Sequence, residues 1–211
     1  MNTYIHFVLD RSGSMWETLT DTIGGFNSFI NSQKNDENGE CYMSLYQFDH
    51  EYEIVYQNKE IKDVEILTEQ TFIPRGQTAL LDAIGRTIIC IDRCLSNSEN
   101  SENSENSNII VVILTDGYEN SSKEFTHSKI TKMIDSKNKN GWKFVFLGAD
   151  QDAIKTATTL GINQNSAMTY AQTPQNVRAC FSGLSSAVMR ARSGESSNIC
   201  FTEDERMNSQ T

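Results

Sequence analysis

Five oxygen-bearing side chains, Asp10, Ser12, Ser14, Thr78 and Asp116, stand at positions from which they could share one hard cation. Asp10 follows an apolar run and opens the stretch Asp10-Arg11-Ser12-Gly13-Ser14. Asp116 follows a second apolar run and precedes Gly117, and Gly76-Gln77-Thr78 lies just ahead of a helical pattern. Two carboxylates and three hydroxyls form an all-oxygen donor set. Mg2+ and Mn2+ favour such donors, Ca2+ is also admissible, and water fills the positions left over. Taken alone, Asp10, Ser12 and Ser14 read equally well as a capped turn, because short polar side chains of this kind bond to neighbouring backbone. Thr78 and Asp116 favour the metal reading if the fold carries them to the same edge.

The elements around these residues determine that. Residues 4–9 read as a buried central strand, and Asn108 to Thr115, with its run Ile-Ile-Val-Val-Ile-Leu, as a buried parallel one. A helix follows the first loop, with Leu19, Ile23, Phe26 and Ile30 on one stripe. Residues 41–48 and 51–57 form an antiparallel hairpin turning at Asp49-His50, and Ile61 to Leu67 is a short ambiguous element. Pro74 and Gly76 punctuate the loop before Thr78, and a helix starts near Ala79 with Leu80, Ile84, Ile88, Ile91 and Leu95 inward. Phe125 to Lys139 is helical, Trp142 to Leu147 is a strand, Asp152 to Leu160 a helix, and Ile162 to Thr169 a weak edge strand. Thr173-Pro174 starts the last helix, with Thr as its cap. Strands alternating with helices imply an α/β fold, a doubly wound and mostly parallel sheet with one antiparallel edge strand and helices on both faces. In such sheets ligands collect beyond the carboxyl ends of the strands, which is where Asp10 and Asp116 fall. The expected domain covers residues 1–192. It includes a threefold Ser-Glu-Asn repeat over 98–106, read as a solvated, disordered loop spanning 97–107, and a polar tail over 193–211 follows with little to anchor it.

Composition narrows the function classes. The 18 basic against 28 acidic residues give a net charge of −10, which disfavours phosphate-backbone binding and suits a collector of cations or a basic partner. The 211 residues contain no apolar run long enough to span a membrane, and the first residues lack the basic start of a signal peptide. Cys41, Cys90, Cys94, Cys180 and Cys200 are an odd set without a Cys-x-x-Cys pair, so they are expected to be reduced thiols in a cytoplasmic protein. His6 lies in mid-strand and reads as a core histidine, and His50 and His127 as surface residues. Neither a Gly-x-Ser-x-Gly elbow nor a Walker A loop occurs.

Asp10-x-Ser12-x-Ser14, Thr78 within Gly76-Gln77-Thr78-Ala79-Leu80, and Leu114-Thr115-Asp116-Gly117, in that order and on those elements, resemble the metal-ion-dependent adhesion site of von Willebrand factor type A domains. The resemblance spans about residues 3–190. It implies that Ser12, Ser14 and Thr78 ligate through their hydroxyls, that Asp10 and Asp116 ligate directly or through water, and that a partner's carboxylate completes the shell. Arg11, Trp16, Arg75 and Tyr118 lie beside these positions and are the expected partner-binding rim, the two arginines steering an acidic partner. By the same resemblance the chain is a non-enzymatic adaptor that binds protein, including in assemblies built around an AAA-type ATPase. Two alternatives stay open: a metal-dependent hydrolase of phosphate esters, and a structural scaffold whose site is idle.

Overall fold

The computed structural model describes residues 1–97, 107–149 and 152–211, and the repeat over 98–106 lies outside the described residues. Six strands form one sheet in the order β3-β2-β1-β4-β5-β6. They are β1 (Thr3–Asp10), β2 (Cys41–Phe48), β3 (Tyr52–Glu60), β4 (Asn108–Thr115), β5 (Lys143–Ala149) and β6 (Ala167–Tyr170). All pairs are parallel except β2 with β3, so the expected doubly wound sheet with one antiparallel edge strand is the one that forms. The helices are α1 (Leu19–Lys34), α2 (Leu80–Asn97), α3 (His127–Lys139), α4 (Ala153–Thr159), α5 (Pro174–Arg192) and α6 (Glu203–Asn208).

The near-continuous apolar runs of β1 and β4 are explained by burial on both faces. Ile5, Phe7 and Leu9 join Ile110, Val112 and Leu114 in a core closed by Phe26, Phe29 and Ile30 of α1 and by Val177, Cys180 and Phe181 of α5. The alternate residues Val8, Val111 and Ile113 face a second core under α2, α3 and α4, with Ile84, Ile88, Ile130, Ile134 and Ala157. Phe7 meets Phe26 edge-on at 5.2 Å between ring centres and stacks parallel to Phe181 at 6.4 Å. This cluster draws α1 against α5 so closely that a methyl group on Gly25 would lie 2.1 Å from Cδ2 of Phe181.

His6 is buried, as expected for a core histidine, with Nδ1 3.3 Å from the Tyr46 hydroxyl. Burial holds its pKa down to about 3, so it stays neutral in the folded protein.

The chain after Ser193 departs from the expected unanchored tail. Ile199 and Phe201 enter the first core. Ser166 Oγ donates to the Ile199 carbonyl at 2.6 Å, and the Phe201 and Ala171 amides donate to the carbonyls of Asn165 and Ser209 at 2.9 Å. Thr202 and Glu205 form a capping box that starts α6, and Arg190 grips the Glu205 carboxylate with both terminal nitrogens at 2.8 and 3.0 Å. The segment is thus held to the residues flanking β6, and by Ser209 Oγ to the Thr169 carbonyl of β6 at 2.8 Å, through contacts that leave no periodic signature in its sequence.

Two outcomes are expected. Gly25→Ala overpacks the α1–α5 contact and should cost about 1–3 kcal/mol, read as a melting point lower by several degrees. Because the unfolded chain protonates His6 below its ordinary value of 6.5 while the folded chain does not, the His6 contribution to stability should fall as pH drops below 6.5, by up to about 1.4 kcal/mol per pH unit. Denaturant titrations between pH 7 and 5.5 should show wild type losing stability relative to His6→Gln with this slope, since any other titrating group contributes equally to both.

Candidate metal centre

β1 and β4 are direct parallel neighbours, with Leu9 opposite Leu114, so both chains leave the sheet side by side and bring Asp10 and Asp116 to one edge. The Asp10 carboxylate accepts the Ser12 amide on Oδ1 and the Thr115 hydroxyl on Oδ2, both at 2.6 Å. Ser14 Oγ donates to Asp116 Oδ1 at 2.6 Å and lies 3.1 Å from Ser12 Oγ. Thr78 arrives from the loop before α2. A methyl group placed on Gly117 would lie 3.1 Å from Thr78 Oγ1, 3.6 Å from Ser14 Oγ and 3.9 Å from Ser12 Oγ. The three hydroxyls therefore converge on one small space that a side chain at position 117 would fill. Asp10, Ser12, Thr78 and Asp116 are buried and Ser14 is exposed, so the cluster opens outward at Ser14.

Burial pushes the Asp10 carboxyl up to about 7, against the hydrogen bonds from Thr115 and Ser12, and the charge on Asp116 adds to the rise. A cation among these oxygens would offset both penalties. Among the described residues no group of three or more His, Cys, Asp and Glu side chains is placed to hold a metal; this cluster consists of two carboxylates and three hydroxyls.

Two sets of bonds that the sequence reading did not single out hold the cluster in place. The first is a clasp around Asp49, in the β2–β3 turn. Its carboxylate is fully buried and accepts Arg11 Nε at 3.0 Å, Arg75 Nε at 2.9 Å and the Glu51 amide at 2.6 Å, with His50 Nδ1 at 3.1 Å. Its carbonyl accepts the Ala79 amide at 2.9 Å, and the Gly13 and Arg75 amides bond to the carbonyls of Gly76 and Arg11 at 3.2 and 2.8 Å. The Asp10 loop and the Thr78 loop are thereby tied to each other and to the end of β2. Gly76 lies in the left-handed region at φ 67°, and a methyl group there would strike the His50 ring, so that position requires glycine.

The second set joins the Asp116 loop to the start of α2. Asn120 Oδ1 accepts the Thr78 amide at 2.9 Å and its own amide returns to the Thr78 carbonyl at 3.0 Å. Glu119 and Ser122 cap the first-turn Leu81 and Asp82 amides at 2.9 and 3.0 Å, and Asp82 accepts three amides, of Lys123, Glu124 and Phe125. No local pattern marks these residues, since each reads as an ordinary turn or cap position until the loops are seen together.

The expected rim is partly corrected. Arg11 is only 7% exposed and turns away to bond Asp49, Gln47 and Glu53, so it is a structural cation rather than a steering one. Arg75 is half exposed, but its guanidinium is committed to Asp49 and Glu51. Trp16 and Tyr118 are 57% and 71% exposed and do present open aromatic surface on the two loops that carry Ser14 and Asp116.

The sequence model of the von Willebrand factor type A domain matches residues 5–181, and the chain belongs to that family. No curated protein matches it. Among solved structures it is similar to proximal thread matrix protein 1 from the mussel byssus, described with a zinc-occupied MIDAS motif, at TM-score 0.61 and 16% identity over 89% of this chain and 46% of that one. It is also similar to the vWF domain of the type V pili tip protein Mfa5 from Porphyromonas gingivalis, at TM-score 0.61 and 12% identity over 88% and 94% of the two chains. The VWA domain of SpRpn10 superposes with TM-score 0.55 and 12% identity over 83% and 92%. This chain thus spans a little under half of the mussel protein, and at such identities the likeness is one of fold.

Removing Asp49 should leave the Arg11 charge buried without its main partner. Asp49→Ala is expected to cost about 3–5 kcal/mol, whereas Glu53→Ala, at the exposed end of the same network, should cost about 1 kcal/mol or less. Paired denaturant titrations check the contrast.

Proposed function

We propose that this domain binds a divalent cation, Mg2+ or Mn2+ with Ca2+ as a weaker fit, between Asp10, Ser12, Ser14, Thr78 and Asp116, and uses it to hold a carboxylate of a protein partner. The observation that carries the reading is the convergence of three hydroxyls on the Gly117 cradle, with two carboxylates at the same edge. Serine and threonine hydroxyls are neutral donors. A cation held largely by them keeps most of its charge, and it attracts an outside anion more strongly than one neutralised by carboxylates. The exposed face of Ser14 supplies the opening, and Trp16 and Tyr118 supply apolar area beside it for a partner's side chains. The type A fold of proteins named as a pilus tip protein and a pilus adhesin supports a binding role over a catalytic one.

The test is a thermal melt of wild type, Asp10→Ala and Thr78→Ala, each with EDTA, Mg2+, Mn2+ or Ca2+. A cation at about a hundred times its dissociation constant adds roughly 2.7 kcal/mol to the folded state. Wild type should gain this and both variants should not, and partner capture should require the metal. A wild type that melts identically in EDTA and in every cation, and captures partner equally in both, supports the scaffold reading. Cation-dependent turnover of a phosphate ester that disappears in Asp10→Ala establishes the hydrolase instead.

A further inference from the structure

A second cluster stands apart from the oxygen site. Cys90 and Cys94 are one turn apart on α2, both partly buried, and both face Gln57 of the edge strand β3. The Gln57 side-chain nitrogen donates to Cys90 Sγ at 2.9 Å and to Cys94 Sγ at 3.2 Å. One primary amide with two N–H bonds therefore serves two sulfurs, which lie within about 6 Å of each other. Burial and the neighbouring Cys90 thiol, which hydrogen-bonds to it, hold the Cys94 thiol above its ordinary range.

Helix geometry limits what these thiols can do together. Side chains four residues apart on a helix have β-carbons about 5–6 Å apart, whereas a disulfide needs about 3.5–4.5 Å. Direct S–S closure would require α2 to distort, but a bridging atom between the sulfurs lengthens the span and removes the conflict. The ligand count narrows the choice of atom. Zinc takes four ligands at such sites, and among the described residues no third His, Cys, Asp or Glu joins the pair. An ion content with two thiolates and indifferent to oxygen is a soft, low-coordinate one.

We propose that Cys90 and Cys94 form a two-thiolate site for a soft monovalent cation of the Cu(I) class, with the Gln57 amide donating to both sulfurs. Two S–H bonds break and release their protons to solvent, two metal–sulfur bonds form as the ion leaves its donor ligands, and the metal keeps its oxidation state, so no oxidant or reductant is needed. The site is chemically independent of the oxygen cluster, which takes hard cations.

The test is anaerobic competition of the full chain for Cu(I) against a chromophoric Cu(I) chelator. Wild type and Cys200→Ser should each retain one equivalent. Cys90→Ser and Cys94→Ser should each lose it to the chelator, and Gln57→Ala should weaken retention by about tenfold, as expected when a hydrogen bond to a ligand is removed. Circular dichroism verifies that the variants are folded. Wild-type chain that retains no Cu(I), or folded Cys90→Ser and Cys94→Ser chains that retain it as wild type does, overturns the proposal. So does a Cys90–Cys94 disulfide that forms under mild oxidation with α2 intact, because the site would then be a redox pair.

Discussion

A parallel sheet buried on both faces has nowhere to place polar chemistry except at its ends, and the organisation of this domain follows from that constraint. β1 and β4 carry apolar side chains on both faces because two separate cores press on them. At the carboxyl end each strand finishes in or just before an aspartate. Adjacency in the sheet turns two residues 106 positions apart in sequence into the two carboxylates of one cluster. The hydroxyl bond from Thr115 to Asp10 joins the two strand ends directly, so the cluster is an extension of the sheet rather than an addition to it.

Loops alone could not hold this arrangement, because three polar segments meeting at a surface repel or fray unless their backbone groups are satisfied. The Asp49 clasp and the Glu119–Asn120–Asp82 stitching meet that requirement from opposite sides. One fixes the Thr78 loop to the sheet, and the other fixes it to the Asp116 loop. The buried charge on Asp49 is tolerated because two guanidinium groups and a backbone amide surround it. That same electrostatic demand consumes Arg11 and Arg75, which is why the open surface around the cluster is aromatic rather than basic.

What was legible in sequence follows the same division. The apolar runs at 4–9 and 108–115, the helical stripe from Leu80 to Leu95, and Thr173-Pro174 each carry their own periodicity or cap, so the sheet and its helices could be placed in advance. Asp10, Ser12, Ser14, Thr78 and Asp116 could be gathered because each sits at a recognisable strand or helix boundary. Arg11 was misread because its neighbours in sequence are site residues, while its partners, Asp49 and Glu53, lie in the β2–β3 hairpin. The segment after Ser193 was misread for a related reason. Its anchors are two isolated apolar residues, Ile199 and Phe201, hydrogen bonds to residues 164–171 and one bidentate ion pair, none of which forms a periodic local pattern.

The crossing of α1 over α5 at Gly25 bears on the order in which the molecule can assemble. Phe7 and Phe26 pack together, yet their shared pocket is closed by Phe181, more than 150 residues later in the chain. β1, the first strand, likewise needs β4 on one side before its backbone groups are paired. A growing chain would hold this aromatic surface uncovered until α5 is made, and the large loop closure places the domain among slowly folding, non-local topologies. The apolar pocket of Phe7 and Phe26 thus stays open to solvent for as long as α5 is missing.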